Sequence, residues 1–183
     1  AEVVNCQNRY LCKDGSSKWL AWQATRPDES GKVYAVATDI TAIKKSEMDL
    51  HAATRVITNT YNVSPGIIAI ADIKTGNFTA CNPAVSKILG LSIEEFTTTP
   101  LIELIHPDDR QKTNDEIAKQ KQGESVINFQ NRFRCKDGSY KWLGWQATGA
   151  DATGIVYAVA TDITPSKKIE EERENLITKL ERK

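Results

Sequence analysis

The sequence predicts an α+β protein: one antiparallel sheet with short helices gathered on one face. Three observations predict it. A gapless internal repeat reads as a three-strand meander, a strand–strand–helix series precedes its second copy, and heptad-spaced apolar residues follow each copy. Runs of strands and helices kept apart in this way pack as helices on a sheet rather than as alternating units.

The repeat sets the organisation. Residues 5–41 and 128–164 align without a gap at an offset of 128 − 5 = 123 residues and share KDGS, KWL, WQAT and VYAVATDIT. This spacing is far longer than the roughly 20–50 residues of a solenoid repeat. In the second copy, residues 127–134 are rich in aromatic and β-branched residues, and Lys136-Asp137-Gly138-Ser139 is an Asp-Gly turn, a strong hairpin signal. Residues 140–148 and 155–163 supply two further strands, joined by a looser turn at 150–154. Such short connections favour antiparallel pairing.

Ahead of the second copy the pattern changes. Residues 66–71 and 78–81 are short apolar strands around a Lys74-Thr75-Gly76-Asn77 turn. Asn82-Pro83 reads as an N-cap followed by proline in the first helical turn. Val85, Ile88 and Leu89 give that helix an apolar face, and Gly90 ends it. Ser92 with Glu95 forms a capping box. Pro107-Asp108-Asp109 opens a longer, polar helix to about Gln122, closed by Gly123. The expected organisation is a C-terminal half-module at 1–41, a linker helix at 42–63, a complete domain at 64–164 and an exit helix at 165–183. The chain reads as an excised fragment of a longer protein.

Composition narrows the function. Hydrophobic residues make up 40% and charged residues 26%, which suits a globular domain with a core. Lys+Arg and Asp+Glu balance at 24 each, so no global basic field favours nucleic acid or an anionic membrane. No apolar run approaches a transmembrane span, and direct membrane contact is not expected. Four cysteines without a Cys-x-x-Cys pair and two histidines argue against structural zinc and for reduced thiols in a cytoplasmic setting. The chain has no phosphate-binding glycine loop, phosphoacceptor helix or paired-carboxylate motif, so catalysis within it is not expected.

Taken in order, Asp72 with Gly76, Asn82-Pro83, Leu89-Gly90-Leu91-Ser92, His106-Pro107-Asp108-Asp109-Arg110, Arg132 with Lys136-Asp137-Gly138-Ser139, Trp142 and Asp162-Ile163-Thr164 resemble the PAS family. The resemblance covers 64–164 as a whole domain and 1–41 as a C-terminal half. It implies a five-stranded antiparallel sheet, short helices over one face, and a sensor or dimerisation role in signal transduction. It also implies an effector in the same parent chain, with a sensor histidine kinase of a two-component system as the commonest context.

The ends carry the same theme. Ile43, Leu50 and Ile57 are spaced by seven; adding 123 gives 166, 173 and 180, with Ile169 and Leu176 between. These seams predict flanking coiled-coil helices and a homodimer formed through them, although Ser46, Thr60 and Arg173 interrupt the pattern. An amphipathic helix lying on a sheet is the simpler alternative.

Strand alternation and helical spacing nominate Ile68, Ile70, Phe96, Leu104, Phe129, Phe133 and Trp145 as the lining of an interior pocket. Asn131 shares the face of Phe129 and Phe133 and needs a partner, either a ligand or a backbone group. Trp142 and Trp145, like Trp19 and Trp22, fall on opposite faces of their strand. Asp162 and Thr164, with their counterparts Asp39 and Thr41, are the expected signal-relay residues, with Thr164 also an N-cap. Within the resemblance, a haem ligand would sit on the long helix, but 109–124 lacks histidine, and His106 reads as a helix cap. The reactive-cysteine motif of flavin photoreceptors is absent between 95 and 110. No metal and no cofactor is expected, haem and FMN being disfavoured, while a non-covalent FAD site stays open. The expected function is a non-catalytic sensor for an unidentified small molecule or partner, the alternatives being a ligand-free dimerisation spacer or an FAD-binding redox sensor.

Overall fold

The computed structural model describes residues 3–181; the first two residues assigned above to the half-module and the last two assigned to the exit helix lie outside it. The chain divides into two compact units at Thr58/Asn59.

The N-terminal unit is an antiparallel meander of β1 (Val3–Leu11), β2 (Ser17–Thr25) and β3 (Ala35–Asp39), followed by helix α1 (Thr41–Val63), which runs across the division. The Asp14-Gly15 turn between β1 and β2 is closed by Asp14 accepting from the Ser16 backbone and hydroxyl, with Gly15 at φ 83°, a left-handed conformation natural to glycine. Tyr10 and Val36 on this sheet, and Val33 and Tyr34 in the connection between β2 and β3, are exposed.

The C-terminal unit holds the five-stranded antiparallel sheet and helices that the sequence predicts. Its strands are β4 (Ile67–Asp72), β5 (Asn77–Cys81), β6 (Val126–Arg134), β7 (Tyr140–Ala147) and β8 (Ile155–Asp162), in the order β5-β4-β8-β7-β6. Between β5 and β6 lie α2 (Ala84–Leu89), α3 (Ile93–Thr98), α4 (Leu101–Leu104), a 3₁₀ turn (Pro107–Asp109) and α5 (Arg110–Lys121). Helix α6 (Thr164–Glu181) leaves from β8. The meander repeated in the sequence is thus the β6-β7-β8 half of this sheet, and β8 also pairs with β4.

One core joins the sheet to the helices. Ile67, Ala69, Val85, Leu89, Phe96, Leu104, Phe133 and Leu143 are all buried within it. Phe78 and Phe96 stack with centroids 4.4 Å apart, fastening α3 to β5. The capping box at Ser92 and Glu95 forms as expected and starts α3 cleanly.

Two local expectations are corrected. Asn82 does not cap α2: its carbonyl oxygen accepts from Ile68 N–H, and its amide donates to the carbonyls of Tyr61 and Gly66. Fully buried, it knits the end of α1 and the start of β4 to the strand before it, and its own amide and carbonyl groups are thereby satisfied. The Thr164 hydroxyl, expected to cap α6, instead accepts from Trp142 N–H on β7.

Among the described residues, the apolar seam positions of both helices are exposed: Ile43, Leu50 and Ile57 on α1 and Ile169, Leu176 and Leu180 on α6.

Candidate functional site

The helices α4 and α5 close over the sheet and leave a cavity of about 100 Å³ in the C-terminal unit. Phe129, Asn131, Phe133 and Trp145 line it, as predicted from strand alternation. Phe78, Val126 and Ile117 complete much of the apolar wall. Phe78 stacks on Trp145 at 6.0 Å, and Phe133 lies 5.2 Å from the same indole.

Four nominated residues lie elsewhere. Ile68 and Ile70 do not line the cavity; Ile67 and Ala69 are the fully buried residues of β4. Both phases of the Ile-Ile-Ala-Ile-Ala stretch are apolar, and the structure turns the smaller set inward. Ala69 faces Ala158 and Ile67 faces Ala160 across the ladder, leaving room for the helices and aromatic rings. Ile68 and Ile70 pair instead with Val159 and Tyr157 on the outer face. Phe96 and Leu104 are buried in the core beside the cavity without lining it.

The polar part of the cavity wall is self-contained. Asn131 is held by two side chains rather than by a backbone group: its carbonyl oxygen accepts from Trp145 Nε1 at 2.9 Å, and its amide donates to the Thr113 hydroxyl at 3.1 Å. Thr113 in turn donates to the Asp109 carbonyl at 2.7 Å, and Gln120 donates to the Thr148 carbonyl at 3.2 Å. Thr113 and Gln120 lie on the inward face of α5, seven residues apart, and were missed because α5 has almost no apolar stripe. The signal was present as spacing: 113, 117 and 120 share one helical face. In the N-terminal unit the counterpart pair recurs, Trp22 Nε1 donating to Asn8 at 3.1 Å.

A carboxylate anchors the rim. Asp109, its side chain 4% exposed, accepts from Arg132 N–H and Nε at 2.8 Å each and from Nη2 at 2.9 Å, and faces Lys112 Nζ at 3.1 Å. Burial pushes its pKa up, but the Arg132 guanidinium and backbone N–H and the Lys112 ammonium outweigh it and hold Asp109 well below the usual carboxylate range. His106 caps the 3₁₀ turn, its Nδ1 accepting from Asp108 N–H, and meets Tyr140 edge-on at 4.5 Å. Among the described residues no group of side chains is arranged to hold a metal ion.

The nominated relay residues form a compact junction. Asp162 accepts from Thr164 N–H at 2.9 Å and pairs with Lys141 at 3.0 Å, and Ile163 N–H donates to the Trp142 carbonyl. Burial raises the Asp162 pKa, yet its bonds to Thr164 and Lys141 leave it lowered. The N-terminal unit repeats the arrangement with Asp39, Thr41, Lys18, Ile40 and Trp19. Trp142 carries a second connection: Lys112 lies 6.0 Å from the Phe129 ring and 5.3 Å from the Trp142 ring, while Lys167 of α6 approaches Trp142 at 5.9 Å. A cavity-lining ring and the first turn of the exit helix therefore share one chain of contacts.

This five-stranded sheet, with helices over a half-open cavity on one face and a helix leaving its last central strand, defines a PAS-type domain. Residues 78–161 match the model of the PAS fold family, and the C-terminal unit is a PAS domain. Solved structures agree in fold. A domain of a sensory box sensor histidine kinase/response regulator from Geobacter sulfurreducens has a TM-score of 0.53 at 18% identity, covering 62% of this chain and 96% of that one. The PAS domain of a Colwellia psychrerythraea protein has 0.54 at 18%, covering 62% and 98%. A sensory box histidine kinase/response regulator from Burkholderia thailandensis has 0.54 at 21%, covering 69% and 98%. No curated protein matches the chain. No helix among the described residues is long and apolar enough to cross a membrane.

Proposed function

We propose that this chain is a non-catalytic sensor segment of a signalling protein. Its C-terminal PAS domain responds to a small molecule in the cavity and passes the response through the Asp162–Thr164 junction into α6. The observation that carries the reading is the junction itself. Trp142 is bonded to Thr164 and Ile163 through its backbone, while its ring meets Lys112, which also lies over the cavity-lining Phe129. A packed core deforms little, so a small displacement of β7 and β8 is expressed as reorientation of the helix rooted on them. The exposed seams of α1 and α6 then supply a dimeric helix pair with discrete packings to be biased. The effector lies in the same parent chain, histidine kinases being one kind of protein among the structural relatives. A ligand shifts such an equilibrium only by its differential affinity, typically about 1–3 kcal/mol of coupling.

The test is a parent or chimeric protein with a measurable output. Asp162→Ala abolishes the ligand-dependent change in output while ligand affinity is retained. An unchanged ligand response in that variant, or simple unfolding of the domain, removes the junction from the mechanism.

A further inference from the structure

We infer that the cavity accepts a neutral molecule of about one aromatic ring, and that anionic ligands and large cofactors are not its occupants. The inference rests on the reading of the cavity as the sensing site and supplies the ligand's chemical class.

Size sets the first limit. The cavity measures about 100 Å³. Pockets for drug-sized ligands measure roughly 300–1,000 Å³, whereas an apolar cavity of about 150 Å³ holds benzene. A flavin or haem requires the helices to part from the sheet, breaking the Thr113–Asn131 bond between α5 and β6.

Wall chemistry sets the second. Phe78, Phe129, Phe133 and Trp145 offer ring faces and edges suited to offset stacking. No Lys, Arg or His lines the cavity, and its two carboxylates are Asp72 and Glu116. Asp72 accepts from Lys74 N–H, and Glu116 pairs with Lys119 at 2.6 Å. An anionic ligand would meet carboxylates and no cation, at the full cost of desolvation. Every buried side-chain nitrogen or oxygen among the described residues already has a partner, so none demands a polar ligand. Asn131 retains one amide hydrogen beyond its bond to Thr113, room for a single acceptor such as a phenolic oxygen.

The experiment titrates the chain with benzene, phenol, benzoate and FMN. It follows the Trp145 indole N–H and the backbone amides of Lys167 and Ile169 by ¹H–¹⁵N NMR. Benzene and phenol are expected to shift the Trp145 resonance saturably, and benzoate to bind at least about tenfold more weakly. Filling the cavity with Ala158→Leu, or with Ala147→Leu should the first fail to fold, removes the response. Benzoate or FMN binding as well as benzene, undiminished binding in a folded filled variant, or no ring shifting Trp145 overturns the inference. The helix amides test the sensor reading separately. Ring binding that leaves them unmoved keeps the ligand class and removes the relay. Their response to another molecule while rings fail to bind does the reverse.

Discussion

Asp109→Asn isolates the charge of the rim carboxylate while keeping its shape. In the folded domain that carboxylate is 4% exposed and receives three bonds from Arg132 at 2.8–2.9 Å and one contact from Lys112 at 3.1 Å. Breaking a fully buried pair by removing one partner costs about 3–5 kcal/mol. Arg132 is 26% exposed here, so water recovers part of its solvation, and the expected loss at pH 7 is about 2–3 kcal/mol. Linkage adds a signature. A carboxylate held below its ordinary value stabilises the fold fully above the unfolded pKa of about 3.9 and loses that contribution as pH falls through the folded pKa. The gap between wild type and Asp109→Asn should therefore narrow as pH drops below about 4. Urea unfolding at neutral pH and again in acid measures it. A variant within about 0.5 kcal/mol of wild type at pH 7, or a gap unchanged on acidification, refutes the assignment.

Phe96→Ala removes a fully buried ring stacked on Phe78 and should cost about 3–5 kcal/mol by urea unfolding. Gly149→Ala places a methyl against the Gly123 carbonyl and should cost at least about 2 kcal/mol by thermal or urea unfolding. Burial pushes the Cys81 thiol up to about 11, so a thiol reagent near neutral pH should modify exposed Cys6 at once and Cys81 only on unfolding. Mass mapping of the adducts reads this directly.

The sequence by itself determined the order of elements, because its signals are local. A 123-residue offset shows that one meander occurs twice; Asp-Gly turns, the Ser92–Glu95 box and Gly90 mark where elements bend, begin and end. Alternation along β6 likewise placed Phe129, Asn131 and Phe133 on the cavity face, since a strand has only two faces and its polar residues mark the other. Where both faces of a strand are apolar, alternation fixes two sets but not which is inside. That choice for β4 came from packing, which placed Ile67 and Ala69 inside and Ile68 and Ile70 outside. Helix α5 is the converse case. Its inward face carries Thr113 and Gln120, whose burial is tolerated only because Asn131, Asp109 and Thr148 meet them from other elements. Asn82 likewise looked like a cap, yet its partners, Tyr61, Gly66 and Ile68, come from the end of α1 and the start of β4. Only the tertiary structure assembles those partners, because the free energy of a buried polar group depends on neighbours far away in sequence.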